Sequence, residues 1–318
     1  MAMKTLSLGK DGPQVSAICL GTAYFGTRID RDTAFEMMDT YYEQGGRFID
    51  TANNYAGWLP EGQGGDAERT IGSWMRSRGV RDEIFIASKV GFNYRDVPQG
   101  TTPALIQQEC EKSLRNLDVD RIDLYYTHLD DRNTPQEETL RTLDSLVRAG
   151  KVCLIGASNC TAWRMEGAYQ ISKAEGLAQF AALQNHHSYL RPRPEVDWGD
   201  NVVMDNEHFD FARNRGVRLL AYYSLLKGTY ARADRPLWPS YDTGANRQRL
   251  ERLKVVADDL GVTLHQTVLA WMLHRKPAVL PITTASKKAH LLENLGALTV
   301  EIAPEQMDFL NFTDIVTR

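Results

Sequence analysis

The chain has 318 residues, 42% hydrophobic and 25% charged, with a net charge of −4 and a pI near 6.0. That balance excludes a disordered chain, and interleaved charges that nearly cancel leave no basic face for nucleic acid or an anionic membrane. No run reaches the roughly eighteen apolar residues of a spanning helix, and Cys19, Cys110, Cys153 and Cys160, with no C-x-x-C pair, read as buried thiols of a cytoplasmic protein.

Residues 3–15 alternate around Gly9-Lys10-Asp11-Gly12 and predict a β-hairpin able to close the bottom of a barrel. From residue 15 onward, short apolar or β-branched runs alternate with longer amphipathic segments. The runs at 15–21, 48–52, 84–90, 123–129, 154–159, 183–187, 218–224 and 278–283 predict eight strands of repeated βα units. Such repeats build a parallel sheet, and eight of them favour a closed (β/α)8 TIM barrel, here one domain spanning 1–318.

The intervening helices carry their own start and stop signals. Thr102-Pro103 opens a helix with Ile106, Cys110, Leu114 and Leu117 on one face. Thr134-Pro135-Gln136-Glu137 predicts another, with Thr134 as the cap, Pro135 in the first helical position and Glu137 completing a capping box. Leu140, Leu143, Leu146 and Val147 form its apolar stripe, and Gly150 supplies a left-handed end. Pro304 opens a C-terminal amphipathic helix running towards Phe312.

In a barrel of this kind the chemistry sits at the C-terminal strand ends and the loops that follow them. Asp50 is expected near the end of the second strand, Tyr55 in the loop after it, Lys89 near the end of the third and His128 near the end of the fourth. A phenol with a pKa of about 10 is a poor proton donor near neutrality, so Tyr55 needs a neighbour that favours its anion. Lys89 can be that neighbour, Asp50 can hold the ammonium, and His128 can orient a substrate carbonyl oxygen. A strand-end lysine can also form an imine, so a Schiff-base lyase using Lys89 stays open as an alternative.

The long glycine-rich stretch 58–66 after Tyr55 either borders the substrate site through Trp58 or is a mobile surface loop. Asp130, Arg132 and His186 are further substrate candidates, and together with Trp58 they suggest a sugar-like ketone. His186 and His187 face opposite ways on a strand, so no metal site is expected there. Residues 21–26 lack G-x-G-x-x-G spacing and indicate no Rossmann cofactor site.

Several runs together resemble the aldo-keto reductases: Phe48-Ile49-Asp50-Thr51-Ala52-Asn53-Asn54-Tyr55, Ala87-Ser88-Lys89, and Asp123-Leu124-Tyr125-Tyr126-Thr127-His128. Gly150-Lys151-Val152, Ile155-Gly156-Ala157-Ser158-Asn159, Gln184-Asn185 and Ala221-Tyr222-Tyr223-Ser224-Leu225-Leu226 follow in the family's order, so the likeness covers nearly the whole chain. The resemblance implies NAD(P)H-dependent reduction of an aldehyde or ketone, with Tyr55 as general acid. It also implies cofactor contacts at Thr22, Asp50, Ser158, Asn159, Gln184, Tyr223, Ser224, Leu225 and Leu226, with Tyr223 stacked on the nicotinamide. For the adenine end it implies Ser286, Lys287, His290, Glu293 and Asn294. The family's usual basic pair after the eighth strand is replaced by Thr284 and His290, so Lys287 is left to favour NADP, with NAD the alternative. A regulatory, cofactor-binding barrel subunit is the non-catalytic form of the same resemblance.

Overall fold

In a strand, successive side chains face opposite sides, so a strand buried on both faces feeds two separate cores. The structure, a computed structural model that describes residues 3–231, 234 and 236–313, is organised on that rule. Strands β1 (Thr5–Ser7) and β2 (Gln14–Ser16) form an antiparallel hairpin, with Leu6 opposite Val15. The barrel strands follow: β3 (Cys19–Gly21), β4 (Phe48–Asp50), β5 (Phe85–Val90), β6 (Ile122–Thr127), β7 (Val152–Ser158), β8 (Phe180–His186), β9 (Arg218–Tyr222) and β10 (Val279–Thr283). All pair in parallel, and β10 returns to β3 to close the cylinder.

Outside lie α1 (Arg31–Glu43), α2 (Asp66–Arg78), α3 (Pro103–Leu117), α4 (Gln136–Arg148), α5 (Ala162–Glu175) and α6 (Asn206–Arg215). They continue with α7 (Gly244–Leu260), α8 (Leu264–His274), α9 (Lys288–Gly296) and α10 (Pro304–Asn311). Among the described residues no helix is long and apolar enough to cross a membrane.

Residue parity separates the cores. Phe48, Ala87, Leu124, Tyr126, Ala182, Leu220 and Leu280 fill the interior, joined from below by Leu8 and Val15 of the hairpin, which closes the base as expected. The alternate residues Ile49, Ile86, Val90 and Tyr125 face the helices. Continuing the inward column upward, Asp50, Lys89, His128 and Gln184 form the top layer, where the cylinder opens.

Two local expectations are corrected. The run 15–21 is not one strand: Val15 belongs to the hairpin, and the barrel strand begins only at Cys19. Thr134 does not cap α4. Its hydroxyl donates to Asp131 (2.7 Å), the helix starts at Gln136 after Pro135, and a nearby carboxylate has outcompeted the weaker local cap. Gly150 does adopt a left-handed φ of 72°, and Thr102 caps α3 by accepting from the Leu105 amide (3.4 Å). The four cysteines are free thiols; Cys19, Cys110 and Cys160 are buried, and Cys153 is half-buried.

Candidate active site

The top layer gathers charge that the barrel wall then removes from water. Lys89 is fully buried, and its ammonium donates to Asp50 Oδ1 (2.5 Å), the Thr51 carbonyl (2.7 Å) and the Tyr55 hydroxyl (3.0 Å). All three of its protons are thereby directed. Asp50 is also buried; its second oxygen accepts from Gln184 Nε2 (2.8 Å), and Oδ1 lies 3.4 Å from the Tyr55 hydroxyl. Burial lowers the pKa of Lys89 against the opposing pull of Asp50.

The Tyr55 hydroxyl meets two opposed influences. Burial first, and then the charge of Asp50, push its phenol well above the ordinary value, outweighing the ammonium 3.0 Å away. The resting phenol therefore keeps its proton, as a proton donor must. His128 is held neutral, its pKa driven well below the usual value by burial and then by Lys89. Its ring lies edge-to-face with Tyr55 (centroids 5.9 Å) and with Phe92 (4.8 Å), and its Nδ1 is buried without a partner among the described residues. A neutral imidazole retains one N–H that can be offered to an oxygen without charge.

The wall beside the phenol is aromatic. Trp58, half exposed, lies edge-to-face with Tyr55 (6.0 Å) and Tyr24 (6.1 Å). The stretch 58–66 is held down: Arg95 donates to the carbonyls of Leu59 and Pro60 (2.9 Å each) and of Gly62. Gly64 (φ 77°) rests against Tyr94, whose ring a Cβ at that position would meet at 2.2 Å.

The matching family model is the Aldo/keto reductase family, over residues 17–312. The chain belongs to that family. It is thereby an oxidoreductase acting on carbonyl compounds. Norsolorinic acid reductase of Aspergillus flavus is 32% identical over 317 residues, covering 93% of this chain and 77% of the relative. Aryl-alcohol dehydrogenase [NADP(+)] of Phanerodontia chrysosporium is 29% identical, covering 95% and 83%. Among solved structures, a thermostable aldo-keto reductase in complex with the inhibitor epalrestat superposes with a TM-score of 0.78 at 27% identity, over 98% of this chain and 99% of that one.

Within this aldo-keto reductase barrel the remaining predicted residues fall into three groups. Tyr223 is at the mouth, 41% exposed and left-handed (φ 55°), beside Trp238 (5.6 Å). A large aromatic in that conformation, kept in solvent, is strain of the kind that collects at ligand sites. Leu226 and Lys227 are left-handed as well (φ 47° and 57°), so the chain after β9 curls into a concave turn. Ser286, Lys287 and His290 are exposed where α9 begins without a side-chain cap. Glu293 is half-buried and faces His265 (3.6 Å), and Asn294 is buried.

A second group is buried in hydrogen bonds that hold the rim. Thr22 donates to the Asp50 carbonyl (2.9 Å), Ser158 to the Gln184 carbonyl (2.8 Å) and Ser224 to the Ala221 carbonyl (2.8 Å). Asn159 donates to the His128 carbonyl (2.9 Å) and accepts from the Tyr222 hydroxyl (2.6 Å). Leu225 is partly buried and packs against both outer cores.

The third group is engaged with other side chains. Asp130 and Arg132 do not join Trp58. Asp130 pairs with Arg164 on α5 (2.8 Å) and with Arg132 (2.5 Å), while the Arg132 guanidinium lies over Trp163 (4.9 Å). Arg164 supplies a half-buried countercharge that no sequence pattern announced. His186 is 1% exposed, bonded through Nε2 to the Tyr241 hydroxyl (2.9 Å) and enclosed by Trp198, Tyr222 and Tyr223. His187 turns the opposite way and stacks on Trp271, as the alternation rule required. Among the described residues no cluster of histidine, cysteine and carboxylate side chains could hold a metal.

Tyr24, Phe92 and Arg95 were missed from sequence. Each follows a barrel strand within a few residues, which was the available signal. The Thr51 carbonyl that fixes Lys89 is a backbone group and carries no sequence signature.

Proposed function

We propose that the protein reduces an aldehyde or ketone on a planar, aryl-sized body with NADPH, and that Tyr55 is its general acid. The observation that carries this reading is the Tyr55 hydroxyl, 3.0 Å from the buried Lys89 ammonium, with the half-exposed Trp58 ring edge-to-face beside it. The aromatic wall of Tyr24 and Trp58 suits a flat substrate better than a polyhydroxylated one, because the polar candidates for a sugar are engaged elsewhere. The printed names of the relatives, an aryl-alcohol dehydrogenase among them, agree with that choice.

The residues present fit a nicotinamide dinucleotide. The exposed ring of Tyr223 would receive the nicotinamide, with Ser158, Asn159, Gln184 and Asp50 along its edge and Thr22 bracing Asp50. The curled turn through Ser224, Leu225 and Leu226 would face the pyrophosphate. Ser286, Lys287, His290, Glu293 and Asn294 would receive the adenosine, and Lys287 at an uncapped helix start supports NADP over NAD. When bound, the dihydronicotinamide supplies the hydride.

The protein's own groups then divide the work. His128 donates its N–H to the carbonyl oxygen, which orients the carbon and draws electron density onto oxygen. Tyr55 passes its hydroxyl proton to that oxygen as negative charge develops there. The resulting phenolate lies against the Lys89 ammonium, which Asp50 keeps in place. A Schiff-base role for Lys89 is disfavoured, because its nitrogen is fully buried with all three protons engaged.

Tyr55→Phe tests the reading. The variant should bind NADPH as the parent does, by quenching of its fluorescence, while reduction of an aryl aldehyde falls by at least about 100-fold. Turnover within threefold of the parent would refute Tyr55 as the acid, and loss of NADPH binding would refute the separation of roles. A parent that binds cofactor but turns over no carbonyl would support the regulatory-subunit alternative.

A further inference from the structure

The mechanism needs the Tyr55 loop and the His128 flank held in register, yet these come from different strands. Tyr55 follows β4, whereas Phe92, the other ring in contact with His128, lies in the segment 91–102 after β5. One buried side chain behind the barrel wall reaches both segments. Glu109, on α3 and fully buried, accepts through Oε2 from Asn53 Nδ2 (2.8 Å) and from the Tyr94 hydroxyl (2.5 Å). Asn53 stands two residues before Tyr55, and its amide donates to the Lys89 carbonyl (3.2 Å). Tyr94 stands two residues after Phe92.

We infer that Glu109 is a positioning residue, joining the segment that carries Tyr55 to the segment that carries Phe92 through a single shared carboxylate oxygen. The inference rests on the proposed role of Tyr55 but concerns a group that never touches substrate.

The chemistry of the junction is suited to that task. Burial, and then the bond to Glu109, hold the Tyr94 phenol protonated, so it remains a donor. Lys112 donates to the same hydroxyl (2.7 Å), which polarises it towards the carboxylate. Charge-assisted donors converging on one oxygen are short and directional, so moving either partner strains the other. The two segments are also stacked, since Tyr94 fills the space left by Gly57 and Gly64. The other oxygen, Oε1, is buried with no partner among the described residues.

A kinetic double-mutant cycle on the full chain tests this, using Asn53→Ala, Tyr94→Phe and the pair. Readouts are kcat and KM for an aryl aldehyde, the Kd for NADPH, and the isotope effect with deuterated NADPH. Each single variant should lower kcat about tenfold, leave the NADPH Kd within twofold and raise the isotope effect, because a misplaced acid slows the chemical step. The pair should be scarcely worse than either single, since both act through one oxygen. Glu109→Gln, which retains one acceptor, should keep more activity than Glu109→Leu.

Multiplying effects in the pair would overturn the inference, as would singles that change only Tm or cofactor affinity. The broader reading fails on a different result, an active Tyr55→Phe, so the two failures are distinguishable.

Discussion

Removing the ammonium beside Tyr55 should be far more damaging than removing it together with its carboxylate. In the reaction Tyr55 goes from phenol to phenolate, 3.0 Å from Lys89 Nζ and 3.4 Å from Asp50 Oδ1. At an effective dielectric constant of about 20, a full negative charge there gains about 5.5 kcal/mol from Lys89 and loses about 4.9 kcal/mol to Asp50. The pair together thus contributes only about 0.6 kcal/mol, about a threefold rate effect. Lys89→Met leaves the carboxylate alone against the forming phenolate, with a ceiling near 10⁴-fold loss in the chemical step, about 1.4 kcal/mol per decade.

Asp50→Asn with Lys89→Met removes both terms and should recover at least about tenfold over the single variant. Single-turnover oxidation of NADPH, followed by absorbance with an aryl aldehyde, reads the step directly. Thermal melts should show the same direction, because the single variant strands a buried carboxylate while the double variant leaves a neutral pair. A double variant as slow as the single would refute the electrostatic account and assign Lys89 a purely geometric role.

Three further outcomes follow from the geometry. Lys287→Ala should weaken NADPH binding about tenfold and leave NADH within twofold; equal losses in a fluorescence titration would remove Lys287 from the 2′-phosphate. His186 should make the fold acid-sensitive, because burial depresses its pKa to about 4. The unfolded chain takes up that proton below about 6.5, so the contribution is complete above pH 6.5 and fades as the pH falls towards 4, by about 3 kcal/mol in all. Urea unfolding between pH 7.5 and 4 should show a loss in the parent larger than that in His186→Phe by about this amount, since buried His128 and His187 add acid sensitivity to both; parallel profiles would refute it. Gly64→Ala should cost about 2 kcal/mol and several degrees of Tm, since its φ is 77° and the added carbon meets the Tyr94 ring; an unchanged melt would show that the 58–66 segment yields freely.

What was legible in the sequence depended on repetition. Each βα unit states its own alternation, so the eight strands and the strand-end positions of Asp50, Lys89 and His128 could be read singly and agree. Parity along β8 likewise separated His186 from His187. Irregular backbone was less legible: the break between Val15 and Cys19 falls in an apolar run that reads as continuous strand. Partner choice was least legible. Nothing near Asp130 in sequence announces Arg164, and Thr134 reads as a cap because the pattern does not show that Asp131 takes its hydroxyl. The setting of the Tyr55 phenol was half legible for a related reason. The attractive neighbour was visible in sequence, whereas the removal of water that outweighs it is a property of the assembled wall.

The grip of Arg95 has an evolutionary reading. It holds the 58–66 segment by main-chain oxygens alone, and the side chains of Trp58, Pro60, Glu61 and Gln63 stand outside that grip in solvent. Substitutions at those four sites can recut the entrance for differently shaped molecules while the path of the ribbon stays fixed. Diversification of this enzyme's tastes should begin there, where novelty leaves the anchor untouched.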